Sequence, residues 1–265
     1  MPQLQALIFD VDGTLAETER DGHRVAFNRA FADAGLDWDW SVAAYQELLE
    51  IAGGKERICF YLQSRPVSIP DLDALIARLH QGKSRYYQQI LSQEGIAARP
   101  GVKRSIAEAR RAGLRLAIAT TAAPENAIAL LKTSLSPDAP HWFEVIAAGD
   151  IVPAKKPAPD IYRYVLQQME LGPENCLVIE DSHNGLEAAR QAGLTTVITV
   201  NDYTQNQDFT GAALVINHLG EPNLPFTVLG GNARGKSYFD LELASIITHA
   251  IAKYKVCYII GFASR

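Results

Sequence analysis

Short apolar runs that end in polar side chains recur along the chain and predict buried β-strands. Continuous apolar stretches of this length are typical of parallel strands that are covered on both faces. The runs occupy residues 4–9, 114–119, 143–147, 176–179 and 195–200. Segments with helical periodicity separate the later runs, at about 102–112, 158–169 and 183–192. This alternation predicts an α/β fold with a doubly wound, Rossmann-like parallel sheet.

The stretch between the first two predicted strands has a different pattern. From about residue 19 to residue 94 the apolar positions follow helical spacing, as in Phe27, Ala30 and Phe31, and Gly53-Gly54 interrupts the stretch. We therefore expect an α-helical domain inserted after the first strand. The predicted domains are a core of residues 1–16 and 97–225, a cap of residues 17–96, and a C-terminal helix with an unassigned tail at 226–265.

Composition narrows the classes of partner. The 265 residues carry a formal charge of −5, which argues against nucleic acid because phosphate-backbone binding needs a basic face. No apolar run reaches the roughly 18–20 residues of a membrane span. Three widely spaced cysteines predict neither a disulfide framework nor a zinc site. We expect a soluble, monomeric protein of the cytoplasm, or of the plastid stroma in a photosynthetic eukaryote.

Polar side chains follow several of the predicted strands. In a parallel sheet the carboxyl ends of the strands meet at one edge, so these groups are expected to lie together. They are Asp10, Asp12, Thr120, Lys156 (in the loop before a helix), Glu180 and Asp181. Converging carboxylates repel one another unless a cation compensates them, and oxygen ligands favour a hard ion such as Mg²⁺.

These groups suit phosphoryl transfer. A metal and a lysine neutralise phosphate oxygens, one aspartate attacks phosphorus, and a second protonates the leaving oxygen. An aspartate that acts as an acid near neutrality needs a raised pKa. A lone DxDGT sequence also occurs in Asx-turns and Ca²⁺-binding loops, but four such motifs in order, each at a strand end, favour catalysis.

The motifs FDVDGT, LAIAT, KPAPD and IEDS resemble those of haloacid dehalogenase-type phosphatases, over residues 4–220. The resemblance implies that Asp10 is the nucleophile, Asp12 the general acid and base, and Thr120 a donor to phosphate. It also implies that Lys156 bridges nucleophile and phosphate. The implied Mg²⁺ ligands are Asp10, the carbonyl of Asp12, Asp181 and, directly or through water, Glu180. Lys155 is read as solvated.

The insert resembles the helical cap of the β-phosphoglucomutase branch. The stretches LAETE, GGKERI, RPGV and AAGDIVPAKKPAPDIY resemble CbbY-type phosphatases, which hydrolyse xylulose 1,5-bisphosphate, an inhibitory by-product of Rubisco. The chain departs from that pattern in ETERDGHRVAF, which is one residue longer. The resemblance implies substrate contacts at Glu17, Tyr45, Lys55, Arg57 and Lys83.

The cap sequence Gly53-Gly54-Lys55-Glu56-Arg57 favours anion binding on physical grounds as well. Paired glycines let backbone amides approach an anion, and a guanidinium matches phosphate. With Thr121 beside Thr120, the predicted substrate-binding set is Asp10, Glu17, Tyr45, Gly53, Gly54, Lys55, Glu56, Arg57, Lys83, Thr120, Thr121 and Lys156. His23 is read as a structural helix residue, and Arg85 stays open between substrate contact and solvated charge.

Three functions remain open from the motifs alone. The chain is predicted to be a sugar-phosphate phosphatase. The alternatives are a phosphomutase that returns the phosphoryl group to the sugar, and a catalytically silent protein that binds sugar phosphates.

Overall fold

The computed structural model describes residues 3–63, 71–93 and 95–249. Seven strands of this part of the chain form one sheet in the order β3-β2-β1-β4-β5-β6-β7, parallel except for β7, which is antiparallel to β6. The strands are β1 (Ala6–Phe9), β2 (Arg115–Thr120), β3 (Val145–Ala148), β4 (Cys176–Glu180), β5 (Thr195–Thr199), β6 (Leu214–Ile216) and β7 (Val228–Gly231). The predicted Rossmann-like fold is confirmed.

Helices cover both faces of the sheet and build the cap. The cap helices are α1 (Arg24–Asp33), α2 (Val42–Leu48), α3 (Gly54–Gln63) and α4 (Leu72–Gln93). The core helices are α5 (Val102–Arg111), α6 (Pro124–Leu130), α7 (Asp160–Met169) and α8 (His183–Gln191), and residues 241–249 are also helical. Among the described residues, no helix is both long and apolar enough to cross a membrane.

The C-terminal boundary of the core needs a correction. The sequence predicted a core that ends at residue 225, but β7 extends the sheet beyond that point, and Leu243, Ala244 and Ile247 pack into the main apolar core. Exposed residues and two glycines at an edge leave β7 without the alternation that identifies a strand. The apolar run at 256–262, predicted to be an extra strand or a disordered end, lies outside the described residues.

The register of the sheet sets the ends of three strands level. Phe9 of β1 lies opposite Ile118 of β2 and Ile179 of β4. The residues that follow these three positions therefore emerge at the same edge. The order of strands reverses at β1, and such a switch point is where ligands bind in open α/β sheets.

A π-helical turn, Glu19–His23, precedes α1. It coincides with the stretch that is one residue longer than the pattern that the chain resembles. A π-turn holds one more residue than an α-turn, so it accommodates the extra residue without breaking the helix. Glu19, the first residue of this turn, lines the pocket beneath the cap, and Glu17, which precedes the turn, does not.

Candidate active site

The site forms where β1 and β4 end side by side. Lys156 Nζ donates to Asp10 Oδ1 at 2.7 Å and to Glu180 Oε1 at 2.5 Å. A third bond, to the carbonyl oxygen of Ala119 at 2.9 Å, anchors the ammonium group to the end of β2. Although burial opposes the charged form, Asp10 and Glu180 raise the pKa of Lys156 well above its ordinary value. Lys156 is therefore a fixed positive charge beside the predicted nucleophile.

One lysine does not balance the three carboxylates of this site. Burial raises the pKa of Asp10 to about 8, against the opposing effect of Lys156. Burial, followed by the charges of Glu180 and Asp10, raises the pKa of Asp181 well above its ordinary value. The protein alone thus supplies too little positive charge to keep all three groups ionised near neutrality.

The geometry fits a bound divalent cation. One oxygen from each of Asp10, Glu180 and Asp181 lies within 4.8 Å of the others, and all three residues are buried. An all-oxygen donor set of this kind suits a hard ion such as Mg²⁺. The three carboxylates lie together as the sequence predicted, and their binding of Mg²⁺ stays a prediction.

Glu180 already has protein donors on both carboxylate oxygens. Tyr162 donates to Oε1 at 3.0 Å, and the backbone amides of Asp181 and Ser182 donate to Oε2 at 2.9 and 3.2 Å. Burial would raise the pKa of Glu180, but Lys156 and these amides hold it below its ordinary value. The carboxylate is ionised and fixed in place.

Asp12 is held by residues at the entrance to the cap. Its Oδ1 lies 2.6 Å from Thr18 Oγ1 and 2.8 Å from His23 Nε2. Burial opposes ionisation, but His23 and the hydrogen bonds lower the pKa of Asp12 to about 2. The raised pKa expected for an acid at this position is therefore absent here. The structural role assigned to His23 also needs correction, because this buried histidine contacts the predicted general acid.

A pocket of about 100 Å³ lies between the core and the cap. The predicted residues that line it are Asp10, Asp12, Gly53, Arg57, Thr120, Thr121, Lys156 and Asp181. Thr120 is buried, and its Oγ1 accepts from the amide of Ala122 at 3.1 Å. Its hydroxyl proton is left available to a bound anion.

Arg57 supplies the cationic wall of the pocket on the cap side. Its guanidinium donates to Tyr45 Oη at 2.8 Å, and to the carbonyl oxygens of Leu48 and Ile51 at 3.0 and 3.3 Å. Three of its five N–H donors are used in this way, and the others remain for an anion. The Tyr45 hydroxyl donates to Glu19 Oε2 at 2.5 Å. Tyr45 therefore supports Glu19 and Arg57 from behind the pocket wall.

Lys55 and Glu56 lie outside this pocket. Lys55 Nζ bonds Asp150 Oδ2 at 2.7 Å, and Lys155 Nζ bonds Glu56 Oε1 at 2.6 Å and lies 3.0 Å from Asp150. These pairs join the cap to the core beside the pocket. Lys155, predicted to be solvated, has a side chain only 15% exposed, so that interpretation was wrong.

The two glycines of the cap motif have different surroundings. Gly53 lines the pocket with φ near +97°, and a Cβ there would lie 2.1 Å from Glu56 Oε2. A Cβ on Gly54 would lie 2.9 Å from the ring of His80. Gly53 is thus needed for close packing around the Glu56–Lys155 contact and Gly54 for close packing against His80, and of the two only Gly53 reaches the pocket.

Three other predicted cap residues are also away from the pocket. Glu17 Oε1 pairs with Arg99 Nε at 2.8 Å on a neighbouring groove. Lys83 is buried over the rings of Phe27 and Tyr87, with Nζ 5.1 and 5.4 Å from their centroids. Arg85 pairs with Asp33 at 2.8 Å on the exposed surface of the cap. Of its two open interpretations, this favours the solvated charge over the substrate contact.

Sequence reasoning missed several polar residues that line the pocket, among them Glu19 and Asn201. Glu19, the first residue of the π-turn, lines the pocket, whereas the predicted Glu17 does not. Asn201 follows β5 and donates to Asp181 Oδ2 at 2.7 Å. Its position just beyond a strand end is the signal that could have identified it, since the other core residues were found by that rule.

Comparisons with known proteins find similar sequences over most of the chain. Residues 4–193 match the haloacid dehalogenase-like hydrolase family. The chain is 46% identical over 228 residues to the protein CbbY encoded on a plasmid of Cupriavidus necator, covering 84% of this chain and 88% of that protein. It is 49% identical over 210 residues to CbbY of Rhodobacter capsulatus, covering 79% and 91%.

A solved structure extends the similarity to the fold. The crystal structure of a CbbY variant from Rhodobacter sphaeroides in complex with xylulose-(1,5)bisphosphate has a TM-score of 0.76 and 44% identity to this chain. The match covers 81% of this chain and 94% of that one.

Proposed function

This chain belongs to the haloacid dehalogenase-like hydrolases and is a sugar-phosphate phosphatase of the CbbY type, and we propose that it hydrolyses xylulose 1,5-bisphosphate to xylulose 5-phosphate and phosphate with Mg²⁺ as cofactor. The observation that carries this proposal is a single pocket with Asp10 and Lys156 on the core side and Arg57 on the cap side. A bisphosphate needs cationic groups at both ends, and the protein is otherwise acidic. The CbbY complex with that bisphosphate supports the choice of sugar.

The residues proposed to hold Mg²⁺ are Asp10, Asp181, Glu180 and, through its carbonyl oxygen, Asp12. Bound there, the ion supplies the positive charge that the three buried carboxylates lack and neutralises the phosphoryl group. Because the donors to Glu180 already occupy both of its oxygens, its contact with the ion is proposed to run through water.

Two displacements at phosphorus complete the reaction. A carboxylate oxygen of Asp10 bonds to phosphorus as the bond to the sugar oxygen breaks, and that oxygen takes a proton from Asp12. Asp12 then removes a proton from water, whose oxygen bonds to phosphorus as the bond to Asp10 breaks. Lys156 and Thr120 stabilise the non-bridging oxygens in both steps.

The low pKa of Asp12 makes it a base in the substrate-free site. A phosphate dianion that enters the pocket raises the pKa of a nearby carboxyl, because like charges disfavour ionisation. Asp12 is therefore proposed to gain its proton when substrate binds and to deliver it to the sugar oxygen. After that transfer Asp12 is again a carboxylate, and in the second step it accepts the proton of the attacking water.

The test is release of inorganic phosphate from a panel of sugar monophosphates and bisphosphates, with Mg²⁺ and with EDTA. We expect the highest kcat/KM for xylulose 1,5-bisphosphate and loss of activity in EDTA. Equal rates on monophosphates would refute the proposed substrate. Sugar isomer formation without phosphate release would identify a mutase, and inertness toward every ester would indicate a binding protein.

A further inference from the structure

We propose that Asn201 is a positioning residue that holds Asp181 in the orientation needed to bind the cation. This inference rests on the proposed Mg²⁺-dependent function and adds a residue to it. Asn201 lies just past β5 and lines the pocket, and its Nδ2 donates to Asp181 Oδ2 at 2.7 Å.

The loop around Asn201 dictates which end of its amide faces Asp181. The side-chain Oδ1 of Asn201 accepts from the backbone amides of Tyr203 and Thr204 at 2.9 and 3.2 Å. The backbone amide of Asn201 donates to Thr204 Oγ1 at 3.0 Å. An amide oxygen is an acceptor and the nitrogen is a donor only. Turning the amide over would place the nitrogen against two N–H donors, so the nitrogen must face the carboxylate.

Asp181 is confined from the other side by the loop that follows β1. A Cβ on Gly13 would lie 2.3 Å from Asp181 Oδ2 and 2.6 Å from Asn201 Nδ2. The backbone of Gly13 therefore closes directly over the hydrogen bond. The Asp181 carboxylate sits between this backbone and the Asn201 amide, which together limit its rotation.

Arg99 joins the two loops that make this enclosure. This buried arginine donates to the carbonyl oxygens of Thr199 at 2.9 Å and Val200 at 2.5 Å, immediately before Asn201, and also to the carbonyl oxygen of Gly13. The end of β5 and the loop after Asp12 are thus held at a constant separation. Asn201 is placed to direct Oδ2 of Asp181, while Oδ1, which accepts only a long hydrogen bond from Thr14 Oγ1 at 3.4 Å among the described residues, keeps a lone pair for a ligand.

Hydrogen bonds to a metal ligand orient it, and their loss commonly costs about 10- to 100-fold in metal affinity. The informative variant is Asn201→Ser, since a serine hydroxyl can still accept from the loop amides but is too short to reach Asp181. Asn201→Ala removes both interactions. Gln205→Ala is the matched control in the same loop, because within the described part of the chain the one hydrogen bond of Gln205 Nε2 is a long one, to the carbonyl oxygen of Asp202 at 3.4 Å.

The experiment is calorimetric titration of each metal-free protein with Mg²⁺, with the thermal unfolding midpoint measured before and after Mg²⁺ addition. We expect Asn201→Ser and Asn201→Ala to bind Mg²⁺ about 10-fold more weakly than wild type, with smaller Mg²⁺-induced shifts in Tm. Gln205→Ala should match wild type in both measurements.

Three results would count against this account. Wild-type Mg²⁺ affinity in Asn201→Ser would reduce Asn201 to a loop-capping role and overturn the inference. An equal loss in Gln205→Ala would attribute the effect to the loop as a whole and overturn it too. A wild-type protein that binds no Mg²⁺ would instead refute the proposed function.

Discussion

A buried lysine in the core and a buried lysine in the cap have different surroundings, and their pKa values shift in opposite directions. Lys156 of the core lies within hydrogen-bonding distance of Asp10 and Glu180, and these carboxylates raise its pKa well above the ordinary value despite burial. Lys83 of the cap lies over the rings of Phe27 and Tyr87. Burial lowers the pKa of Lys83 to about 8, with only partial compensation from Asp12 and Glu19.

The difference follows from what holds each group in place. In the core, backbone hydrogen bonds between parallel strands set Asp10 level with Glu180, so charges meet wherever strand ends meet. In the cap and at its junction with the core, no such register sets the partners of the long charged side chains, which depend on how far each side chain extends from its own helix or loop. Lys55 therefore pairs with Asp150 of the core, and Glu17 pairs with Arg99.

The largest expected effect is in the core. Asp10→Asn should lower kcat by at least about 10³-fold, because an amide does not attack phosphorus. The fold should survive, since the variant removes a buried carboxyl whose pKa is raised to about 8. The measurements are phosphate release and thermal unfolding. Near-normal turnover in a folded Asp10→Asn protein would eliminate Asp10 as the nucleophile.

Asp150→Asn is the matched control for that substitution. Asp150 is a carboxylate outside the pocket that pairs with Lys55 and Lys155 across the junction of cap and core. Exposed ion pairs of this kind contribute little to stability. We expect Asp150→Asn to keep turnover within about threefold of wild type.

The cap cations provide the second test. The sequence predicted substrate contacts for both Lys55 and Arg57. In the structure Arg57 lines the pocket and Lys55 does not, so we expect different effects from their substitution. Arg57→Ala should lower kcat/KM for the bisphosphate by about 10- to 100-fold, the effect of losing a charge-assisted contact. Lys55→Ala should change it much less. Both variants should spare p-nitrophenyl phosphate, which has no distal phosphate.

Arg57→Lys separates substrate binding from support of the cap. Arg57 also donates to the carbonyl oxygens of Leu48 and Ile51, so a general loss on both substrates would mean that its role is structural. A lysine keeps the charge but not the planar fork, and we expect intermediate activity on the bisphosphate alone.

Glu19 and Glu17 provide a third test, with a smaller expected effect on kcat/KM. Glu19 lines the pocket and Glu17 pairs with Arg99 outside it. Glu19→Gln should lower kcat/KM for the sugar bisphosphate about 10-fold, since it weakens a charged hydrogen-bond acceptor in the pocket. Glu17→Gln should stay near wild type. The reverse ranking would restore the assignment implied by the family resemblance.

The smallest effect concerns stability and comes from Lys83. Its folded-state pKa of about 8 lies below the ordinary value of 10.5, so between these pH values the unfolded chain binds more protons than the folded one. Stability from this residue therefore rises with pH through that window, by about 2 kcal/mol between pH 7 and 9.5. Urea unfolding in EDTA should show this rise relative to Lys83→Met. A constant difference between the two proteins would contradict it.

The amino-acid sequence by itself determined the α/β class, five of the strands and the six polar residues of the core edge. That success has a local cause, because a buried parallel strand has a continuous apolar run, and the residue after it is placed by the sheet. β6 has three residues and β7 is an exposed edge strand, so neither contains such a run. This is why the sequence did not predict them.

Only the tertiary structure decided which cap residues face the pocket. Glu19 lines the pocket whereas Glu17 pairs with Arg99, Lys55 of the cap pairs with Asp150 of the core, and the residue just past β5, Asn201, contacts Asp181. Each of these contacts joins segments far apart in sequence or depends on the phase of a helix. The spacing of residues along the chain does not show how far a side chain extends from one helix or loop to another. In a parallel sheet, by contrast, the same backbone hydrogen-bonding pattern places the residue after each strand at the same edge, so the sequence predicts it.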